Sequence, residues 1–421
     1  MGLDEHAYSS YVIEKVVTAT ARFGSFAAAT EAVRMADLDI SESQVRRLAH
    51  EVGAELVAAR DRKVVERRRR QLAARTDVVP PAVVVEVDGG RIRTRQADTG
   101  PGVQGPANRE SKIACFATLT SPTFATDPQP GVPDGFLCPR RVQRLVQQMK
   151  GQAGGALPQE IRDESADPAA RPTAARSGPR WSPESLVRTC VASLGCSRSF
   201  GPMMAAEACE RNFYPAPRRA FVADGSAYNW SIQQGYFSDF EPVVDLLHVL
   251  CYRYTAARAV SPDESSGGSQ YVAWMRACWG GRVRDVLAEL DVCQTRVGLP
   301  PPGEPARAED RRDPRRVVAA AIRYLGNNQA RMDDPRYRRE GLLTTSSLVE
   351  SLVGQFNARV KSKQKHGNDP DGAESILTLR AAALSEDHRL GRFFAARPGC
   401  SSRKRPPPHS ELEPQSEQSA A

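Results

Sequence analysis

The sequence predicts an α/β class: a mixed sheet flanked by helices, interrupted by an all-helical insertion and preceded by a small helical N-terminal domain. Three observations predict it. Apolar, β-branched runs fall between residues 82 and 119 and recur at 220–223. Helical periodicity dominates from Glu241 to Met332, and the first 75 residues carry helical spacing without strand signals. Strands with flanking helices, followed by a long helical stretch, are what a layered α/β core with a helical insertion produces.

A chain of 421 residues can bury a large core and is long enough for two or three units plus linkers. Its net charge of +8 and sequence pI near 9.1 favour a polyanionic partner. Nine cysteines are scattered without any C-x-x-C pair, which argues against a zinc site or a disulfide framework. Reduced thiols in a cytosol suit them better. The sequence has no signal-like apolar stretch at its N-terminus and no run of membrane-spanning length. The expectation is a cytoplasmic protein with no membrane partner.

The first domain is drawn at 1–75. Helical spacing runs from Tyr8 to Phe23, restarts at Ser25 and again near Ser41, where Ser41 and Gln44 have capping-box spacing. The last two segments resemble a helix-turn-helix whose recognition helix would carry Gln44, Arg46 and Arg47. An ordinary helical hairpin accounts for the pattern equally well. The basic run Arg60 to Arg70 reads as a helix that either follows a phosphate backbone or is simply solvated.

Strand signals begin at Ala82: Val83 to Val87, a turn or bulge at Gly89-Gly90, an alternating Arg91 to Arg95, and then Lys112 to Leu119. A helix is expected over Pro139 to Lys150, and a flexible linker or insertion over 151–183, rich in Gly, Pro, Ala and Asp. Helices are expected over Glu184 to Leu194 and Met203 to Arg211, before the strand ending at Ala223. The first part of the core thus spans 80–240. The all-helical insertion covers 241–335, a C-terminal region with the helix Ser346 to Lys363 covers 340–395, and a disordered tail covers 398–421.

Three carboxylates have distinctive addresses. Asp88 and Asp224 each end an apolar β-branched run and are each followed by glycine, whereas Glu350 sits on the helical pattern Ser346 to Val353. Strand-end carboxylates are rigid, and carboxylates are the hard oxygen ligands that Mg²⁺ prefers. Converging, the three could hold two divalent ions and serve phosphodiester chemistry. For either aspartate alone, a turn residue after a strand is the simpler account.

Four segments carry a resemblance. They are Val83 to Gly90; Val222-Ala223-Asp224-Gly225-Ser226-Ala227-Tyr228-Asn229-Trp230; Val243-Val244-Asp245-Leu246-Leu247-His248; and Gly341 to Ser351, continued by Gly372-Ala373-Glu374-Ser375-Ile376-Leu377-Thr378-Leu379-Arg380-Ala381. In order and combination they resemble the DDE transposases of bacterial insertion sequences, of the Mutator-like group with an RNase H-like catalytic core. The second is similar to that group's D-G-A-x-W-I segment, the third to (I/L)-L-D-x-x-H, and the last to G-A-x-A-I-L-x-L-R-A. The chain departs from the group in three ways. Thr345-Ser346-Ser347-Leu348 stands where relatives read G-S-G, the Trp usual near His366-Gly367-Asn368 is missing, and the 151–183 segment lengthens the Asp88–Asp224 interval.

The resemblance implies that Asp88, Asp224 and Glu350 are catalytic and hold two Mg²⁺ ions, with Mn²⁺ able to replace them. Asp245 and His248 would support the site or contact DNA, and Arg359, Lys361 and Lys363 would face phosphates. The implied activity is metal-dependent cleavage at transposon ends and strand transfer into target DNA. The implied partners are terminal inverted repeats, target DNA and a second copy of the chain, in a homodimer or larger synaptic assembly at the bacterial nucleoid. Two alternatives share these residues: an RNase H-like nuclease or resolvase without strand transfer, and a decayed or domesticated DNA-binding protein without catalysis.

Overall fold

A computed structural model describes residues 8–94, 107–151, 182–303, 307, 309–345, 348–349, 352, 354–356 and 370–397. The expected tail (398–421) and nearly all of the expected linker lie outside the described residues, as do Glu350, Arg359, Lys361 and Lys363.

The architecture is mixed α/β. Three helices lead: α1 (Ser10–Arg22), α2 (Phe26–Arg34) and α3 (Glu42–Arg68). Each has a serine N-cap, Ser9, Ser25 and Ser41, whose hydroxyl accepts from an amide of the first turn. At Ser41 only half of the expected capping box forms: the Gln44 amide reaches Ser41 Oγ, while the Gln44 side chain accepts from that hydroxyl. Helix α3 is one continuous helix of 27 residues, so the segment at Ser41 and the basic run from Arg60 are two ends of a single rod.

The sheet has five strands: β1 (Ala82–Thr94), β2 (Ala107–Thr120), β3 (Glu184–Ser193), β4 (Arg218–Ala223) and β5 (Glu241–Val244), in the order β3-β2-β1-β4-β5. β1, β2 and β3 run antiparallel, and β4 and β5 lie parallel to β1. β1 is central and flanked on both sides, which explains its unbroken valine run. Val83, Val85 and Val87 face one layer of helices, and Ala82 and Val84 face the other. Gly89-Gly90 does not break the strand: β1 continues through it in regular register with β2.

Two further expectations are overturned. Residues 184–193 form β3, not a helix. Leu186, Val187, Cys190 and Val191 satisfy helical spacing, but the segment pairs with the open edge of β2, where Cys190 and Ala192 face one layer and Val191 the other. Arg211, fully buried, fastens this edge by donating to the Phe116 and Val187 carbonyls and to the Thr118 and Thr189 hydroxyls. The helical stretch expected from Glu241 begins instead with the short parallel strand β5. Four residues are too few for a period-two pattern to stand out beside the helix that follows.

The remaining helices are α4 (Asp134–Leu137), α5 (Pro139–Gly151), α6 (Ser197–Glu210), α7 (Ala227–Tyr236), α8 (Leu246–Val260), α9 (Glu264–Trp279), α10 (Val283–Val297), α11 (Pro314–Asn328), α12 (Asp334–Arg339), α13 (Pro370–Leu384) and α14 (Arg389–Ala395). The stretch α8–α12 is helical as expected. Its Trp274, Met275, Val286 and Leu325 join the same continuous core as Val85, Phe116 and Phe221 of the sheet. On the opposite face, Val349, Leu352 and Phe356 pack with α13 over Ile113, Cys115 and Cys190. Among the described residues no helix is long and apolar enough to cross a membrane.

The N-terminal helices close their core on the far end of the chain: Ile13, Val17, Val45 and Leu48 pack with Ile376, Leu379, Leu390 and Phe394. Helices α3 and α13 cross so closely that a Cβ at Gly53 would lie 2.8 Å from both Cβ and the carbonyl oxygen of Ser375. Helix propensity and packing therefore predict opposite signs for Gly53→Ala. Propensity alone would stabilise by up to about 1 kcal/mol. The backbone clash should win and destabilise by about 1–3 kcal/mol, read as a lower urea midpoint at unchanged slope.

Candidate functional site

Strand register creates the site. In the parallel ladders Val87 lies opposite Ala223, and Ala223 lies opposite Val244. The next residue on each strand is an aspartate: Asp88, Asp224 and Asp245. Neighbouring strands are about 4.8 Å apart, so the three occupy one row across the carboxyl ends of β1, β4 and β5. Alternation assigns them the face shared by Val84, Val222 and Val243. The crevice outside the carboxyl ends of parallel strands is where open α/β sheets bind ligands.

Each member is held differently. Asp88 is half-buried, and its Oδ1 accepts from the Gly89 amide at 2.7 Å. Burial pushes its carboxyl up to about 6; the charges of Asp224 and Asp245 push the same way, opposed by the Gly89 amide and His248. Asp224 is fixed through one oxygen: Oδ1 accepts from the Ser226 amide (2.9 Å), the Ser226 hydroxyl (2.7 Å) and Asn229 Nδ2 (2.8 Å). All three bonds fall on Oδ1, and among the described residues no hydrogen bond reaches Oδ2. Asp245 is fully buried and caps α8 by accepting from the Leu247 amide at 3.2 Å, while its own amide donates to the Ala223 carbonyl. One turn on, His248 Nδ1 lies 3.8 Å from Asp245 Oδ2, beyond hydrogen-bond length.

The helical stretch braces this row from outside. Gly225 adopts φ +87°, where a Cβ would lie 2.9 Å from both Asn328 Nδ2 and Tyr324 Cε2. Only glycine fits such a turn under that lid. Tyr324 Oη donates to the Asp224 carbonyl at 2.8 Å, and Trp230 Nε1 donates to Asn328 Oδ1 at 3.0 Å. Ser226, Asn229, Tyr324 and Asn328 escaped the sequence reading. The first two lie within the segment already singled out, but the α11 pair lies a hundred residues away and gave no local signal.

Glu86 was also missed, although a carboxylate inside a valine run is a visible anomaly. It is completely buried two residues before Asp88, and Oε2 accepts from the Val349 amide at 2.7 Å. It therefore ties β1 to the helical residues Leu348 and Val349. Burial pushes its carboxyl up to about 8, reinforced by Asp245 and opposed by the Val349 and Leu348 amides and by Arg188.

The structure brings Asp88, Asp224, Asp245 and His248 together. Glu350, Arg359, Lys361 and Lys363 lie outside the described residues. Gln44, Arg46 and Arg47 form a separate group on α3. Arg46 stacks over Phe26 and pairs with Glu42 at 3.2 Å, and Arg47 lies 3.9 Å from Glu51. Farther along α3, Arg60 and Lys63 pair with Glu374 (2.6 Å) and Glu210 (2.8 Å). Those two cations are engaged in ion pairs within the molecule, while Arg62, Arg68, Arg69 and Arg70 are exposed.

Among the described residues no group of three or more His, Cys, Asp or Glu side chains is disposed to hold a metal ion. The donor chemistry at the row nevertheless fits a divalent cation. Asp88 and Asp224 repel one another, both offer hard oxygens, and Asp224 presents one oxygen clear of protein donors. No protein-family model matches the chain, and no curated protein matches it.

The Glu86 carboxyl gives a pH signature in metal-free buffer. Its ordinary value is 4.5 and its folded value about 8, so between these the folded chain binds more protons than the unfolded one. Stability contributed by this group therefore falls as pH rises through that window. Glu86→Gln keeps the acceptor for Val349 and removes the titration. Relative to wild type, its stability should rise by a few kcal/mol from pH 5 to pH 9, measured by urea denaturation in EDTA. A pH-independent difference would contradict the assignment.

Proposed function

We propose that this chain is a DNA transposase with an RNase H-like core, cleaving at transposon ends and transferring the cut strand into target DNA. The observation that carries the reading is the row of strand-end aspartates Asp88, Asp224 and Asp245, beside which Glu86 of the central strand holds the Val349 amide. Three antiparallel strands leading into two parallel ones, followed by a helical stretch, support the RNase H-like part of the reading.

In this scheme Asp88, Asp224 and Glu350 would hold two Mg²⁺ ions, with Mn²⁺ an acceptable replacement. The ions supply an activated oxygen nucleophile and charge screening at phosphorus. The protein supplies preorganisation. Ser226 and Asn229 fix the Asp224 rotamer, the Gly89 amide orients Asp88, and α11 closes over the Asp224 turn. Asp245 holds the start of α8 against the strand ends, so that His248 projects near Asp88. Gln44, Arg46 and Arg47 would contact the terminal inverted repeats. Two copies of the chain would pair two ends before transfer.

The test is incubation of purified protein with Mg²⁺ and a DNA fragment carrying the sequences that flank its coding region. End-specific nicking and joined products are expected from wild type. Asp88→Ala, Asp224→Ala and Glu350→Ala should each lower the rate by a factor of 100 or more, since removing a metal ligand removes the whole metal site. Nicking without joined products would favour the nuclease reading, and activity persisting in all three variants would sink both. A second signature separates function from architecture: Asp88→Asn should lose activity yet stabilise the metal-free protein by about 1 kcal/mol at pH 8, a figure reduced for the side chain's partial exposure. That gain should shrink as pH falls from about 6 towards 4, where the aspartate is itself protonated.

A further inference from the structure

The helix that starts at the aspartate row carries an aromatic side chain that neither the fold nor the metal chemistry explains. Asp245, His248 and Tyr252 stand at the cap, third and seventh residues along α8, and so share one helix face. Exposure rises along this line: Asp245 is fully buried, the His248 side chain is 23% exposed, and Tyr252 is 38% exposed. Leu246, Leu250 and Tyr254 of the same helix lie in the core, whereas the Tyr252 ring reaches the surface.

Tyr252 is also rigid. Its ring stacks on Tyr324, with centroids 3.9 Å apart and planes 13° apart. Tyr324 is anchored in turn by its hydroxyl on the Asp224 carbonyl, 2.8 Å away. The pair is therefore a stepped aromatic platform tied directly to the backbone of a site aspartate. Tyr324 covers one face of the Tyr252 ring, and the exposed surface belongs to the remainder. Arg323, exposed and adjacent in sequence to Tyr324, lies near enough to act electrostatically on the Tyr252 phenol. An open aromatic beside a cation is the combination that receives one nucleotide, the base on the ring and the phosphate on the guanidinium.

We infer that Tyr252, seated on Tyr324 and flanked by Arg323, is a stacking site for one unpaired nucleobase of the DNA strand whose phosphate lies at the aspartate row. The inference rests on the DNA reading above and adds a requirement to it: a base next to the reacting phosphate leaves the duplex stack. Removing a base from its stack costs a few kcal/mol, and a preformed aromatic surface offsets that cost. Rigidity matters here, because a ring already held by Tyr324 loses little freedom on binding.

The test is carried out in EDTA, so that binding is read without cleavage, on the full chain. The probe is a single-stranded 12-mer of thymidines with one central 2-aminopurine. Wild type is expected to bind at low salt and to quench the 2-aminopurine emission. Tyr252→Ala should bind about 10-fold more weakly and lose the quenching, since a stacked base contributes that order of affinity. Tyr252→Phe should match wild type, because the ring and not the hydroxyl does the stacking, and Tyr252→Trp should quench at least as strongly. Arg323→Gln should weaken binding and lower its salt dependence while leaving the quenching of bound probe intact.

Unchanged quenching in Tyr252→Ala, with its thermal midpoint within a few degrees of wild type, would overturn the inference. So would a Tyr252→Phe variant as defective as Tyr252→Ala. Failure of the broader DNA reading looks different: wild type then binds neither this probe nor duplex DNA at low salt. If wild type nicks DNA and Tyr252→Ala nicks and quenches equally well, the function stands and the stacking site falls.

Discussion

Parallel pairing of three strand ends is the constraint on which the rest of the molecule depends. Because β1, β4 and β5 run in the same direction and in register, one residue step beyond Val87, Ala223 and Val244 brings Asp88, Asp224 and Asp245 side by side. A one-residue slip in either ladder would turn an aspartate towards the opposite helix layer, into the core with Phe221 and Val85. The buried valines on both faces of β1 prevent that slip. Like charges gathered at one edge oppose folding, and burial of Asp88 and Glu86 adds to the opposition. Such a row persists only where a large core outweighs it.

Two attachments turn this edge into a fixed geometry. From one side, α11 lies over the Asp224 turn through Tyr324 and Asn328, so the helical stretch between Asp224 and residue 340 is part of the site's scaffold. From the other, Glu86 holds the Val349 amide against the sheet through a carboxyl that burial keeps largely protonated at neutral pH. A helix start secured by a buried side chain from the central strand is held more precisely than one resting on apolar contact alone.

The two ends of the chain are also joined. Burial would raise the Glu207 and Asp387 carboxyls, but the Arg389 and Arg75 guanidiniums prevail and hold both well below the usual range. This network connects α6, the residues just after the N-terminal helices, and the turn before α14. With the shared core of α1–α3, α13 and α14, it makes the N-terminal helices a wall of the molecule. Arg60 and Lys63 of α3 are engaged in ion pairs of that wall, while Arg62, Arg68, Arg69 and Arg70 are exposed.

The sequence by itself determined the strands β1, β2 and β4, the serine-capped N-terminal helices and the helical character of 246–331, because each has a local cause: valine-rich period-two runs, capping hydroxyls and helical spacing. It also marked Asp88 and Asp224, since glycine-flanked aspartates after apolar runs are legible without a fold, whereas Asp245 and His248 were marked only by the resemblance. Only the tertiary structure decided the rest. Residues 184–193 satisfy helix and strand spacing alike, and the free edge of β2 selected the strand. β5 is too short to announce itself, yet its pairing with β4 converts Asp245 from a helix cap into the third member of a row. Glu86, Tyr324 and Tyr252 gain meaning only from partners 263, 100 and 72 residues away. Long-range contact of that kind leaves no periodicity in a single chain.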